Sequence, residues 1–161
     1  MPALHEELLD PLLRLVAAAV VGMAIGLNRD VNGKPTGMRT LGLVSLGAAL
    51  IAVGTVEFRG LEHHPDALSR VVQGIIQGVL AGVGFIGAGA IMRNQSTRDV
   101  EGLTTAATVW VTATLGVACA LAAWELVLIG VVLTFLMLVV MHPVERWLLK
   151  HLGSPDDEPL K

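Results

Sequence analysis

Five stretches of this chain carry no Asp, Glu, Lys or Arg: residues 15–28, 40–56, 71–92, 102–124 and 126–144. Together they hold 95 of the 161 residues, so all 25 formal charges fall in the other 66. Apolar runs of roughly 18 residues or more with few charges match the hydrocarbon thickness of a bilayer. Only 16% of the chain is charged, against about 25% in a soluble domain. The pattern argues against a soluble enzyme, a disordered chain and a disulfide scaffold. The single cysteine, Cys119, has no partner within the chain and reads as a buried, inert thiol. A net charge of −3 gives no bulk attraction to nucleic acid.

Backbone polar groups cannot go unpaired in lipid, so each run is a helix or a barrel strand. Barrel strands alternate apolar and polar residues, and runs such as Leu136-Met137-Leu138-Val139-Val140 do not. The expected fold is therefore all-α, a polytopic membrane protein of about five helices, near 11–28, 39–57, 70–92, 103–121 and 125–143. Arg14 would snorkel from the first span toward the headgroups. Residues 102–144 as one helix would be about 64 Å long, twice the membrane thickness, so the chain must turn near Glu125. Pro143 is expected to end the last helix. Met1–Arg14 holds three acidic residues and one Arg, unlike the positive start of a signal peptide, so the first run reads as a retained span.

Eight of the eleven basic residues fall on one side of this arrangement. The positive-inside rule puts that side in the cytoplasm, with the N-terminus outside and the C-terminus inside. Residues 1–144 then form the membrane domain. Residues 145–161 form a short interfacial helix followed by a disordered acidic tail.

Offsetting the chain by 65 residues aligns Gly37-Met38-Arg39-Thr40 with Gly102-Leu103-Thr104-Thr105, and Gly22 with Gly87. This reads as a parallel repeat of spans 1–2 and 3–4, the alternative being shared small-residue composition. Span 3 carries Gly74, Gly78 and Gly82 at spacing four, then Gly84, Gly87 and Gly89. Such a face lets a second backbone approach closely, within the chain or between subunits. The stretch 82–89 is also a candidate helix break. Gln73 and Gln77 are expected to hydrogen-bond a neighbouring helix. Thr104, Thr108 and Thr112 are expected to pack, or to bond their own helix backbone.

Two inner loops carry the remaining chemistry: Asn28, Arg29, Asp30, Lys34, Arg39 and Thr40 in one, and Arg93, Arg98, Asp99 and Glu101, ending at Thr104 and Thr105, in the other. They are either topology signals or a cluster of ion pairs that fastens the two hairpins or binds a partner. Asp99 and Glu101 are metal candidates by residue type alone. Glu62, His63, His64 and Asp66 form an outer group that reads as a solvated loop. There is no Ser-His-Asp set, CxxC, P-loop or zinc motif.

The run Gly84-Phe85-Ile86-Gly87-Ala88-Gly89-Ala90-Ile91-Met92-Arg93, followed by Val100, Gly102-Leu103-Thr104-Thr105-Ala106-Ala107 and Trp110, resembles the MgtC/SapB family of bacterial membrane proteins. Gly26-Leu27, Arg29, Gly33-Lys34 and Gly37-Met38-Arg39-Thr40 resemble that family's first inner loop. The resemblance covers about residues 10–140. Two positions depart from the pattern: Asn28 stands where the family has Glu, and Leu41 where it often has His.

The resemblance implies a protein of the bacterial inner membrane that is not an enzyme and holds no cofactor. Its short tail implies that the C-terminal cytoplasmic domain of some members is absent. It implies a role in adaptation to magnesium limitation or acid stress and in survival inside host cells. Members of the family are thought to bind and restrain other membrane proteins, including the proton-translocating ATP synthase. The sequence leaves three readings: a regulator that binds membrane partners or its own copies through span 3 and the inner loops, a small ion transporter lined by Gln77, Thr104 and Thr108, or a scaffold with no ligand.

Overall fold

A computed structural model describes residues 2–56, 65–93 and 100–152. It contains α1 (Pro2–Val31), α2 (Met38–Val56), α3 (Pro65–Ala90), α4 (Leu103–Ala120), α5 (Trp124–Phe135) and α6 (Met141–Leu152). A π-helical segment, Leu136–Val140, joins α5 to α6. Two-residue strands β1 (Met92–Arg93) and β2 (Val100–Glu101) pair antiparallel between α3 and α4. The all-α, polytopic reading holds. Among the described residues four helices are long and apolar enough to cross a membrane: Leu8–Val31, Met38–Val56, Ser69–Ala90 and Leu103–Ala120. Trp124–Val140 is a shorter apolar helix.

α4 runs through the middle, packed by α1, α2 and α3, with α5 on its flank. Its buried face includes Thr105, Val109, Thr112, Ala113, Gly116 and Ala120. Between membrane helices the gain comes from close van der Waals fit rather than from leaving water, and small residues permit that fit. A methyl group on Gly22 of α1 would strike the Leu41 carbonyl and Ser45 of α2; one on Gly116 of α4 would strike the Ser45 backbone. Three helices therefore meet at glycine contacts around Ser45, whose side chain is fully buried.

The 65-residue offset reappears in these contacts. Gly22 faces Leu41, and at the equivalent positions Gly87 faces Ala106 at 3.4–3.6 Å. Gly26 lies against Gly37 and Met38, and Gly102, the equivalent of Gly37, lies against Ala90 and Ile91, the latter the equivalent of Gly26. Gly37 and Gly102 each directly precede the first residue of a helix, α2 and α4. The two hairpins thus use the same positions to close.

Three sequence expectations need correction. Gly82–Gly89 does not break the third helix; α3 is continuous to Ala90. Pro143 does not end the last helix, which runs on to Leu152. A helical proline leaves the carbonyl four residues back without a donor and crowds it; the wider π segment in the preceding turn accommodates both effects. Arg14 does more than snorkel, since its Nη1 donates to the Ala120 carbonyl at 3.1 Å. The turn expected near Glu125 is Leu121-Ala122-Ala123, with Ala122 at φ 53°. Ala122 N–H donates to Cys119 O and Ala123 N–H to Ala118 O, both at 3.0 Å. This is the Schellman pattern, with alanine where glycine is usual. The expected disordered tail, 154–161, lies outside the described residues.

Candidate functional site at the corner between α1 and α2

The first inner loop folds into a compact corner. Gly33 at φ 62° reverses the chain after α1, with its N–H donating to Asp30 O at 3.0 Å and Lys34 N–H to Arg29 O at 2.9 Å. Asn28 O accepts from Asn32, backbone at 3.3 Å and Nδ2 at 2.6 Å. The Asp30 carboxylate then reaches across the turn and accepts the Met38 N–H at 2.8 Å. It serves as cap for α2 and sets a negative charge at the positive end of that helix. Gly37 makes room: a Cβ there would overlap the Asp30 carboxylate.

Arg29 turns inward from the same corner and is only 4% exposed. Its Nε and Nη2 donate to Pro35 O at 3.3 Å, and Nη2 also donates to Thr105 Oγ1 at 2.5 Å. Pro35 lies in the corner itself, and Thr105 is the third residue of α4. One guanidinium fork thereby ties the first hairpin to the second through neutral acceptors. Among the described residues no carboxylate pairs with it, and the ion pair recorded there is Asp10 with Arg14, within α1.

Lys34, Arg39 and Thr40 are exposed, as are Glu101 and Thr104 on the second hairpin. Arg93 sits in β1 opposite Val100; Arg98 and Asp99 lie outside the described residues. The structure thus brings together Asn28, Arg29, Asp30 and Thr105 and leaves Lys34, Arg39, Thr40, Glu101 and Thr104 at the surface. In α4, Thr108 Oγ1 donates to Thr104 O at 2.7 Å and Thr112 Oγ1 to Thr108 O at 2.8 Å. These hydroxyls serve their own helix, one of the two readings the spacing left open. Among the described residues no group of three or more His, Cys, Asp or Glu side chains is placed to hold a metal ion. Glu62, His63 and His64 lie outside those residues, and Asp66 is exposed at the start of α3.

The glycines of α3 divide. Gly87 packs on Ala106, whereas a methyl on Gly74, Gly78, Gly82, Gly84 or Gly89 would meet nothing within 4 Å. Gln73 and Gln77 are exposed beside Gly74 and Gly78. The buried side of α3 is Val79, Val83 and Gly87, so the glycine-rich side looks away from the bundle. Sequence reasoning missed the partners that matter most inside the chain: the Pro35 carbonyl, the Ala120 carbonyl, and the glycines at 22, 26 and 116. The repeat did carry a signal for Gly22, which it aligned with Gly87.

The model of the MgtC family matches residues 15–147. This chain belongs to the MgtC family. Among MgtC-family proteins, SrpB of Synechococcus elongatus is 45% identical over 145 residues, 84% of this chain and 78% of SrpB. A protein of Escherichia coli strain K12 named putative magnesium transporter YhiD is 40% identical over 136 residues, 81% of this chain and 60% of YhiD. MgtC of Salmonella typhimurium is 38% identical over 110 residues, 68% of this chain and 43% of MgtC. The chain thus spans less than two thirds of YhiD and MgtC. No solved structure matches it. The MgtC-family match includes both hairpins, the Arg29 corner and the open face of α3.

Proposed function

We propose that this membrane protein works without enzymatic chemistry, by binding other membrane proteins during adaptation to magnesium limitation or acid stress. The outer face of α3 is the docking surface, and the basic corner is its cytoplasmic flank. The observation that carries this reading is the row Gly74, Gly78, Gly82 with open space above every glycine. Gln73 and Gln77 stand exposed in the same stretch of a helix apolar enough to cross the membrane. A carboxamide facing lipid lacks both a donor and an acceptor, and interhelical bonds of this kind contribute roughly 0.6–2 kcal/mol. A partner helix seated on the glycines would supply them. Gly78→Leu is expected to abolish co-purification with membrane partners while leaving the thermal stability of the purified chain unchanged. Unchanged association would remove α3 as the docking surface.

The rival reading is ion transport, which the name of YhiD favours. Its suggested lining gains little support: Gln77 is exposed on α3, whereas Thr108 is buried and bonded to its own helix. The depression between α2, α3 and α4, lined by residues including Ala52, Ile75, Ile76 and Val117, is apolar, with about 10 Å³ of room, the space of a single water. Purified protein in liposomes, assayed for Mg²⁺, K⁺ and proton flux, decides between them. Saturable flux would overturn the binding-only reading.

A further inference from the structure

The helix that begins at Trp124 is longer than a membrane is thick. α5, the π segment and α6 follow one another without a break for 29 residues, Trp124–Leu152, about 43 Å at 1.5 Å per residue. A hydrocarbon core of about 30 Å is crossed by residue 144, where the uncharged run ends. Beyond it the sequence is Glu145-Arg146-Trp147-Leu148-Leu149-Lys150-His151-Leu152. Met141, Val144 and Leu148 recur at helical spacing and fall on one face, with Trp147 beside them. Lys150 and His151 occupy the last turn.

Among the described residues nothing covers that face at Met141, Val144 and Leu148. α6 packs on the π segment and makes at most slight contact with any other described element. Trp147 is 59% exposed, and Val144 and Leu148 are exposed with it. The Trp147 ring stacks on the His151 ring at 4.6 Å between centroids, so an apolar surface and a polar edge sit side by side. Tryptophan beside a basic residue suits the headgroup layer, where one end of the group is apolar and the other wet. The π segment, Leu136–Val140, joins the two helices, and such segments are among the few places where a helix can kink sharply.

We propose that α6 lies in the headgroup layer of the membrane its own helix has just crossed, with phospholipid as the occupant of its apolar face. Val144, Trp147 and Leu148 enter the acyl boundary and Lys150 reaches the phosphates. Glu145, Arg146 and Lys150 leave a formal charge of only +1, so attraction to anionic lipid is weak and the apolar face carries the binding. Zwitterionic lipid suffices. This inference is independent of what docks on α3.

The chain has three tryptophans, so Trp110→Phe with Trp124→Phe leaves Trp147 as the sole reporter in the full chain. Reconstituted in phosphatidylcholine vesicles, its emission should be blue-shifted from that of indole in water. Lipids brominated near the headgroup should remove roughly half of the signal, because surface helices bury about 5–10 Å into the headgroup boundary. Iodide added to the water should quench little, and Trp147→Phe in the otherwise unaltered chain should reduce the quenching by shallow bromine to what Trp110 and Trp124 contribute. A water-like emission quenched by iodide would overturn the proposal by standing α6 in solvent. Emission insensitive to both quenchers, with Lys150→Cys cross-linking between copies, would overturn it by placing protein on the face.

Discussion

Ala122 closes α4 in a backbone conformation that side chains disfavour. The left-handed region costs an L-residue roughly 1–2 kcal/mol relative to the helical one, while glycine carries an entropic cost of about 0.4–1 kcal/mol in the unfolded chain. Ala122→Gly should therefore raise stability by about 0.5–1 kcal/mol, read as a higher melting temperature in detergent. Asp30 and Gly37 act as a pair. Asp30→Ala removes the cap of α2 and should cost about 1 kcal/mol. Gly37→Ala should cost more, because its methyl group displaces the carboxylate, and in the double variant the two losses should fall short of their sum. Ser45 is the reverse case. Its Oγ is buried without a partner among the described residues, and an unmade hydrogen bond costs about 1–3 kcal/mol, so Ser45→Ala should leave stability unchanged or raise it.

At the scale of helices, glycine has two meanings in this chain. Gly22 and Gly116 sit where backbone meets backbone, so Gly116→Ala should destabilise by roughly 1–3 kcal/mol through overpacking, seen as loss of monodisperse protein on heating. Gly74→Ala and Gly82→Ala should leave the isolated chain as stable as before. Sequence could not make this distinction, since spacing shows which residues share a face and not what lies opposite. The spans themselves were legible because the absence of charge over some twenty residues has few other physical explanations. The turn after α4 was legible only by length, for its special residue is an alanine. The corner between α1 and α2 was legible as a group of polar residues, but its connections were not. Arg29 binds a backbone carbonyl and a threonine hydroxyl, acceptors that no charge pattern marks.

Across the whole molecule, two arginines of α1 grip the two ends of α4. Arg29 holds Thr105 and Arg14 holds the carbonyl of Ala120. Each bond joins a cation to a neutral acceptor, a class worth about 1.5–3 kcal/mol. Arg14→Ala and Arg29→Ala should each lower stability by that order, and together they should add, being about 22 Å apart along the helix. Arg29→Lys should recover only part of the loss, since one ammonium cannot reproduce the fork. The repeat places Val79 on α3 where α1 has Arg14, and α3 packs only lightly on α2 whereas α1 packs closely on α4. Arg14 and Arg29 are fifteen residues apart, and so are Thr105 and Ala120. Two antiparallel rods pinned at equal intervals make a strut of fixed length. Sliding one rod along the other by a single residue, about 1.5 Å, stretches both pins at once. When the surrounding bilayer thins or thickens, the strut must tilt as a unit.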